Sequence, residues 1–409
     1  MKDDALVLPA AAAKLLAAAP HRALFLIGAA NVLLAMGWWA AWLTGTRTGW
    51  FVPATPPLPA GWMHAIVMQY QVLPPFMFGF LLTVFPRWLG HEALGARHYL
   101  PVGAGLLGGQ LLTLAGLGGE LMLLRAGALL TLAGWSLGTF WLARVLVRGK
   151  QFTGHAVSAL LALCFGMSGL VLYLFLLWRP DGLIAMAAIK FGGMAVLVPI
   201  YFTVCHRMIP FFTSSIVPGY RMVRPMWTLI AAWVLLLAHL ALELGHLHTW
   251  LWLADAPLAL LTAGLLYAWW PRAPIPPLLR VLFLGFAWLP IAFALFTVQS
   301  AWFAATGEFI LGRAPAHALF VGFFGSLLVA MVTRVTQGHS GRPLVLGGVA
   351  ALAFVLLQLT AVTRIVAEFA ADGLAWQAAA AIGWVVAFLP WVLRSAWIYL
   401  TPRTDGNPG

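Results

Sequence analysis

Long apolar runs, each near twenty residues and separated by short connections, constrain this chain more than any other feature. A helix needs about 20 apolar residues to cross the hydrocarbon core of a bilayer. Runs at approximately 23–44, 62–85, 100–118, 122–147, 155–177, 184–206, 227–245, 250–270, 279–303, 315–333, 344–367 and 375–400 come close to that length. The expected fold is therefore all-α: a polytopic membrane protein of about twelve transmembrane helices in one domain, residues 21–401. An N-terminal arm (1–20) and a short tail (402–409) flank it. The arm's apolar stretch is interrupted by Lys14 and is too weak for a signal-peptide core. The third and fourth runs are nearly continuous and divide at Gly118-Gly119-Glu120. Prolines punctuate other connections, among them Pro53, Pro56, Pro57 and Pro59, and the stretch from Pro271 to Pro277.

Only 8% of the residues are charged, against roughly 25% in soluble domains, so most helices are apolar on every side and lipid is their natural solvent. The net charge of +12 would suggest nucleic acid in a soluble protein, but here the basic residues punctuate the spans instead of forming a patch, which argues against a nucleic-acid partner. With the N-terminus inside, 17 Lys and Arg fall on the inner side and 5 on the outer, with Lys190 left within the sixth span. By the positive-inside rule both termini are expected to be cytoplasmic. Cys164 and Cys205 both lie in apolar segments and form no disulfide framework or zinc spacing.

Spans two, six and ten end on related strings: Thr83-Val84-Phe85-Pro86-Arg87, Thr203-Val204-Cys205-His206-Arg207 and Val332-Thr333-Arg334. Three blocks of four helices would produce that spacing, although Thr and Arg also close membrane helices without any repeat.

Eleven histidines are the main chemical signal, because ionisable side chains in a membrane domain are costly and face a cavity, a cofactor or a partner. His64 and His317 enter from the same side, at similar depth, on parallel helices. Two imidazoles from different helices are a usual way for a bundle to hold haem iron. Gly322 and Gly325 behind His317 leave room for a flat group or a close helix, and Met68 and Gln71 share the face of His64. For either histidine alone, an interfacial imidazole bonded to a neighbouring carbonyl is the other reading. His239, Glu243 and His246 are spaced by four and seven residues, so a continuous helix returns them to one face, where imidazoles suit copper, iron or zinc. An ordinary His–Glu contact at a hydrated helix end accounts for the same spacing.

On the inner side, His206-Arg207 precedes an aromatic turn, Met208-Ile209-Pro210-Phe211-Phe212-Thr213. Arg334 and the loop Gln337-Gly338-His339-Ser340-Gly341-Arg342-Pro343 form a second polar cluster, in which the glycines permit a tight turn presenting His339. Glu92, Asp181, Glu308, Glu368 and Asp372 lie at connections and read as solvated charges.

Several of these strings resemble the NnrS family. The most distinctive runs from His317-Ala318-Leu319-Phe320-Val321-Gly322 through Met331-Val332-Thr333-Arg334 to Gly338-His339-Ser340-Gly341-Arg342-Pro343-Leu344. His21-Arg22, Pro86-Arg87-Trp88-Leu89-Gly90, Arg207-Met208-Ile209-Pro210-Phe211-Phe212-Thr213 and Leu284-Gly285-Phe286-Ala287-Trp288-Leu289-Pro290 agree with it in order. The resemblance implies a bacterial inner-membrane protein associated with nitric oxide and denitrification, containing haem and copper and protecting against nitrosative stress. Two departures stand out. Where family members carry a His-x-His-Glu string, this chain reads His64-Ala65-Ile66-Val67, and His206 replaces the family's glycine.

By analogy alone, twelve spans with three-fold repetition and histidines on spans two, seven and ten look like the catalytic subunit of haem–copper oxidases and nitric oxide reductases. The expectation is a haem protein that binds, and in the reductase-like case reduces, nitric oxide, with His64 and His317 on the iron. A second metal, copper, would lie near His239, Glu243 and His246, and His21, His206, Arg207, Arg334, His339 and Arg342 form the further polar set. No c-type haem motif is present, so the haem implied is haem b, with electrons from quinol or a donor protein. The competing expectations are a transporter whose histidines and Lys190 line a pathway, and a metal-delivery or assembly factor.

Overall fold

The computed structural model describes residues 9–406. The first eight residues of the expected N-terminal arm, and 407–409 of the tail, lie outside the described residues. Among the described residues there is no strand. After a short helix, Pro9–Leu16, come α1 (Pro20–Thr48), α2 (Ala60–Trp88), α3 (Ala96–Gly116), α4 (Leu121–Arg148), α5 (Gly154–Trp178) and α6 (Gly182–Ser214). The second half holds α7 (Met226–Leu244), α8 (His248–Trp269), α9 (Pro277–Thr306), α10 (Ala314–His339), α11 (Gly348–Val366) and α12 (Gly373–Tyr399). Eleven of them are long and apolar enough to cross a membrane. The chain is an all-α polytopic membrane protein.

The remaining helix, α3, is the least apolar, yet it packs closely along α4. Small residues make that approach possible: a Cβ on Gly105 would lie 2.7 Å from the Cα of Gly134, the close backbone contact that drives helix association in lipid. The break between the two falls where the glycines predict it, α3 ending at Gly116 and α4 starting at Leu121.

Three helices form the inside of the bundle. In the most apolar stretches of α2, α6 and α10, 89%, 61% and 78% of residues are buried, against 56% or less in the other eight candidate spans. These are the spans whose endings look alike in sequence. The same three, and no other described helix, contain π-helical segments: Met68–Val72, Phe191–Leu197 and Ala318–Gly325. A π segment misdirects backbone carbonyls, which in an apolar interior must find other donors. The Asn31 amide donates to the Gln71 carbonyl at 2.8 Å, and the Tyr70 hydroxyl donates to the Ala188 carbonyl at 2.6 Å, tying α2 to α6. Around this core the fourth helix of each block packs along the first of the next: α4 on α5, α8 on α9, and α12 on α1, which closes the ring.

Two connections differ from expectation. The string after Arg207 is not a turn: α6 continues helically to Ser214, with Pro210 accommodated inside it. Likewise α10 runs to His339, so that histidine ends a helix, and the tight turn comes only at Gly341, with φ of 70°.

Candidate functional site

His64 lies in the second turn of α2 and His317 in the first turn of α10, at the bundle end opposite the N-terminus. The His64 ring lies parallel to the Trp39 indole, 8° from coplanar and 4.4 Å between centroids. Neither of its nitrogens has a hydrogen-bond partner among the described residues. The Nδ1 of His317 donates to the Arg313 carbonyl at 2.9 Å. That bond assigns the proton to Nδ1 and leaves Nε2 a bare lone pair, the arrangement in which histidines ligate metals. The two imidazoles lie within electrostatic reach of one another and of Arg364. The fold thus brings together the pair expected from sequence, though the room expected behind His317 is already taken. A Cβ on Gly322 would meet the Trp288 indole at 2.4 Å, and one on Gly325 would meet Trp384 at 3.2 Å. Nor does Gln71 stay with His64; its amide donates to Thr113 and Thr131 at 2.8 and 2.9 Å.

Glu368, expected to be solvated, is half-buried beside this pair. It sits 2.6 Å from the Arg364 guanidinium and accepts the Arg313 amide at 3.1 Å. Burial alone would push its carboxyl up; the Arg313 amide and the Arg364 guanidinium outweigh that and hold it below the usual glutamate range. Asp372 pairs with Arg47 and caps α12, and Asp181 caps α6 through the Leu183 and Ile184 amides.

The second expected cluster divides. His239 and Glu243 do share a face of α7, but the helix stops at Leu244 and His246 turns away in the left-handed region, at φ 55°, on the surface. His239 is instead enclosed by carboxylates: its Nδ1 is 2.6 Å from Asp255 of α8 and its Nε2 is 3.2 Å from Glu243. Glu243 in turn pairs with Lys190 of α6 at 2.6 Å. Lys190 thus supplies the cation for Glu243, and the His239 imidazole bridges the two carboxylates. Among the described residues no group of three His, Cys, Asp or Glu side chains could hold a metal ion, so the His239, Glu243 and His246 set does not fit copper as arranged. Asp255 was not singled out in sequence, although a lone carboxylate in the apolar run of the eighth span was a legible signal.

At the opposite, basic end the remaining candidates gather. His21 of α1 and His339 of α10 lie with ring centroids 4.5 Å apart. The Arg22 guanidinium donates to the Tyr399 and Thr401 carbonyls at 3.1 and 3.0 Å, closing α12 onto α1. Arg207 lies over the Trp88 ring at 4.4 Å, Arg334 over Phe212 at 4.0 Å, and Arg342 over Trp397 at 5.2 Å. His206 bonds to His155 of α5, Nδ1 to Nε2, at 2.9 Å.

The strings that carry the family resemblance, separated by up to three hundred residues in sequence, thus meet mainly at this end. The model of the family described as NnrS protein matches residues 15–403. The chain belongs to the NnrS family. No curated protein matches it. Within this NnrS chain, the His206 imidazole is held by His155. The departure after His64 leaves that histidine without a neighbouring second imidazole or carboxylate in its own turn.

Proposed function

We propose that this chain is a haem protein of the bacterial inner membrane, with both termini cytoplasmic, that binds nitric oxide as part of a nitrosative-stress or denitrification response. The observation that carries the reading is the state of the two imidazoles on α2 and α10. His317 is fixed in the tautomer that leaves Nε2 free, and His64 faces the same region with neither nitrogen bonded among the described residues. Membership of the NnrS family supports the nitric oxide role. His64 and His317 would hold haem b, which when bound supplies a redox-active iron able to take nitric oxide. Trp39 would fix the His64 ring by stacking, and the Arg313 carbonyl would fix the rotation of His317. Turnover, if the protein is a reductase, draws electrons from quinol or a donor protein.

The visible spectrum of protein purified from haem-replete cells tests this. A Soret band that shifts on adding nitric oxide is expected, and His64→Ala and His317→Ala should each abolish or convert it. A colourless preparation, or an unchanged low-spin spectrum in both variants, overturns the assignment. A second reading, a proton-coupled carrier, rests on the buried Glu243, His239 and Asp255 and their partly exposed partner Lys190. It predicts no chromophore.

A further inference from the structure

Between the three inner helices lies a cavity of about 60 Å³, bounded by α2, α6 and α10 with one wall from α1. Its position follows from the repeat. The π segments end at Val72, Leu197 and Gly325, and the first lining residues, Phe76, Ile200 and Leu327, come four, three and two residues later. Each inner helix thus changes register at one level and opens onto the cavity immediately below. π segments recur at functional sites because they re-aim side chains at small cost in helix length; three at one level mark the space as a product of the fold, not a packing accident.

The lining is aliphatic and aromatic apart from the Cys205 thiol and the Tyr201 phenol. A water needs about 10–15 Å³ of such volume and two or more polar partners. Here the space suffices for a few water-sized molecules and the partners are lacking. Apolar cavities of this kind stay dry and take xenon or small apolar molecules, and an ion entering would lose its hydration without compensation. The basic end of the shaft is also positively charged. Arg207 of α6 covers Trp88 of α2, Arg334 of α10 covers Phe212 of α6, and Arg87 of α2 lies within electrostatic reach of His339 of α10. Each repeat reaches across to its neighbour, so guanidinium groups from all three inner helices gather at the basic end, where they repel cations.

We infer that this central cavity is a binding site for a small uncharged apolar molecule, of the size and polarity of a diatomic gas. Its nearest lining residues lie about 15–18 Å along the helices from His64 and His317, at 1.5 Å per residue. Resting on the reading above, its occupant in the cell is nitric oxide held in reserve near the haem; the site itself requires no haem.

Xenon tests it independently of any chromophore. Crystals of the full chain under xenon pressure should show an anomalous peak between α2, α6 and α10. Leu328→Trp, which fills the cavity, should remove the peak; Leu328→Ala, which enlarges it, should strengthen the peak and remains informative if the Trp variant does not fold. No peak in the parent protein, or a peak of unchanged strength in Leu328→Ala, overturns the inference. In a haem-containing preparation, Leu328→Trp should also change the fraction of nitric oxide that rebinds promptly after photolysis. A colourless preparation with a xenon peak would sink the haem reading and leave the cavity assignment standing.

Discussion

The pair formed by His155 and His206 offers a sharp test of how the basic end is held. Both rings are buried, and a chain of bonds runs through them in one direction. Thr228 donates to the Pro225 carbonyl at 2.7 Å, so its oxygen is free to accept from His206 Nε2 at 2.9 Å. His206 Nδ1 then accepts from His155 Nε2 at 2.9 Å, and His155 Nδ1 accepts from the Thr153 hydroxyl at 3.2 Å. Every donor and acceptor is used by two neutral rings of one tautomer. Replacing His206 by Leu leaves the His155 Nε2–H buried with no acceptor, a cost of about 1–3 kcal/mol. Replacing both histidines by Leu removes donor and acceptor together, and apolar groups of similar shape are then close to neutral. Reversible unfolding in mixed micelles of the parent, the two single variants and the double variant closes the cycle. The expected result is a double variant more stable than His206→Leu alone. Simple addition of the two single losses would refute the bond chain, and a costless His206→Leu would show that the site is hydrated. The same logic predicts that His206→Gly is tolerated only when His155 is also replaced.

Two further outcomes follow from charges. The Glu368 carboxyl is held below its unfolded value, so the stability it contributes is present above the unfolded glutamate pKa, near 4.3, and is lost as pH falls through the lower folded value; melting temperature should therefore fall on acidification below about pH 4 more steeply in the parent than in Glu368→Gln. Lys190→Met leaves the buried Glu243 without its cation, and breaking a buried pair from one side costs about 3–5 kcal/mol, somewhat less here because the lysine is partly exposed; Lys190→Met combined with Glu243→Gln should regain most of the loss in the same unfolding assay, and a double variant as unstable as the single would contradict the pairing.

The span pattern was legible because length and apolarity alone decide whether a helix can cross lipid, and even the narrow break at Gly118-Gly119 was marked by its residues. The inner set α2, α6 and α10 was foreshadowed by their similar endings. Their π segments were not, since a register change depends on which distant group, such as Asn31 or Tyr70, receives the released carbonyls. Glycine misled twice. Gly338 read as a breaker, yet α10 passes through it to His339, whereas Gly245, which does end α7, was read as lying within a face shared by His239 and His246. Pairings across helices, such as His239 with Asp255 or His206 with His155, leave no trace in spacing along either one.

The clasp of Arg22 on the last turn of α12 sets an order on assembly. Helices emerge one after another during synthesis, and the first to be made presents a guanidinium whose two carbonyl partners, at Tyr399 and Thr401, are the last to arrive. The circle of helices stays open through translation of three complete blocks. A chain stopped short of its final helix would retain most of its hydrophobic contacts but leave the Arg22 guanidinium without its two carbonyl acceptors. That stranded charge alone distinguishes the unclosed ring from the finished bundle.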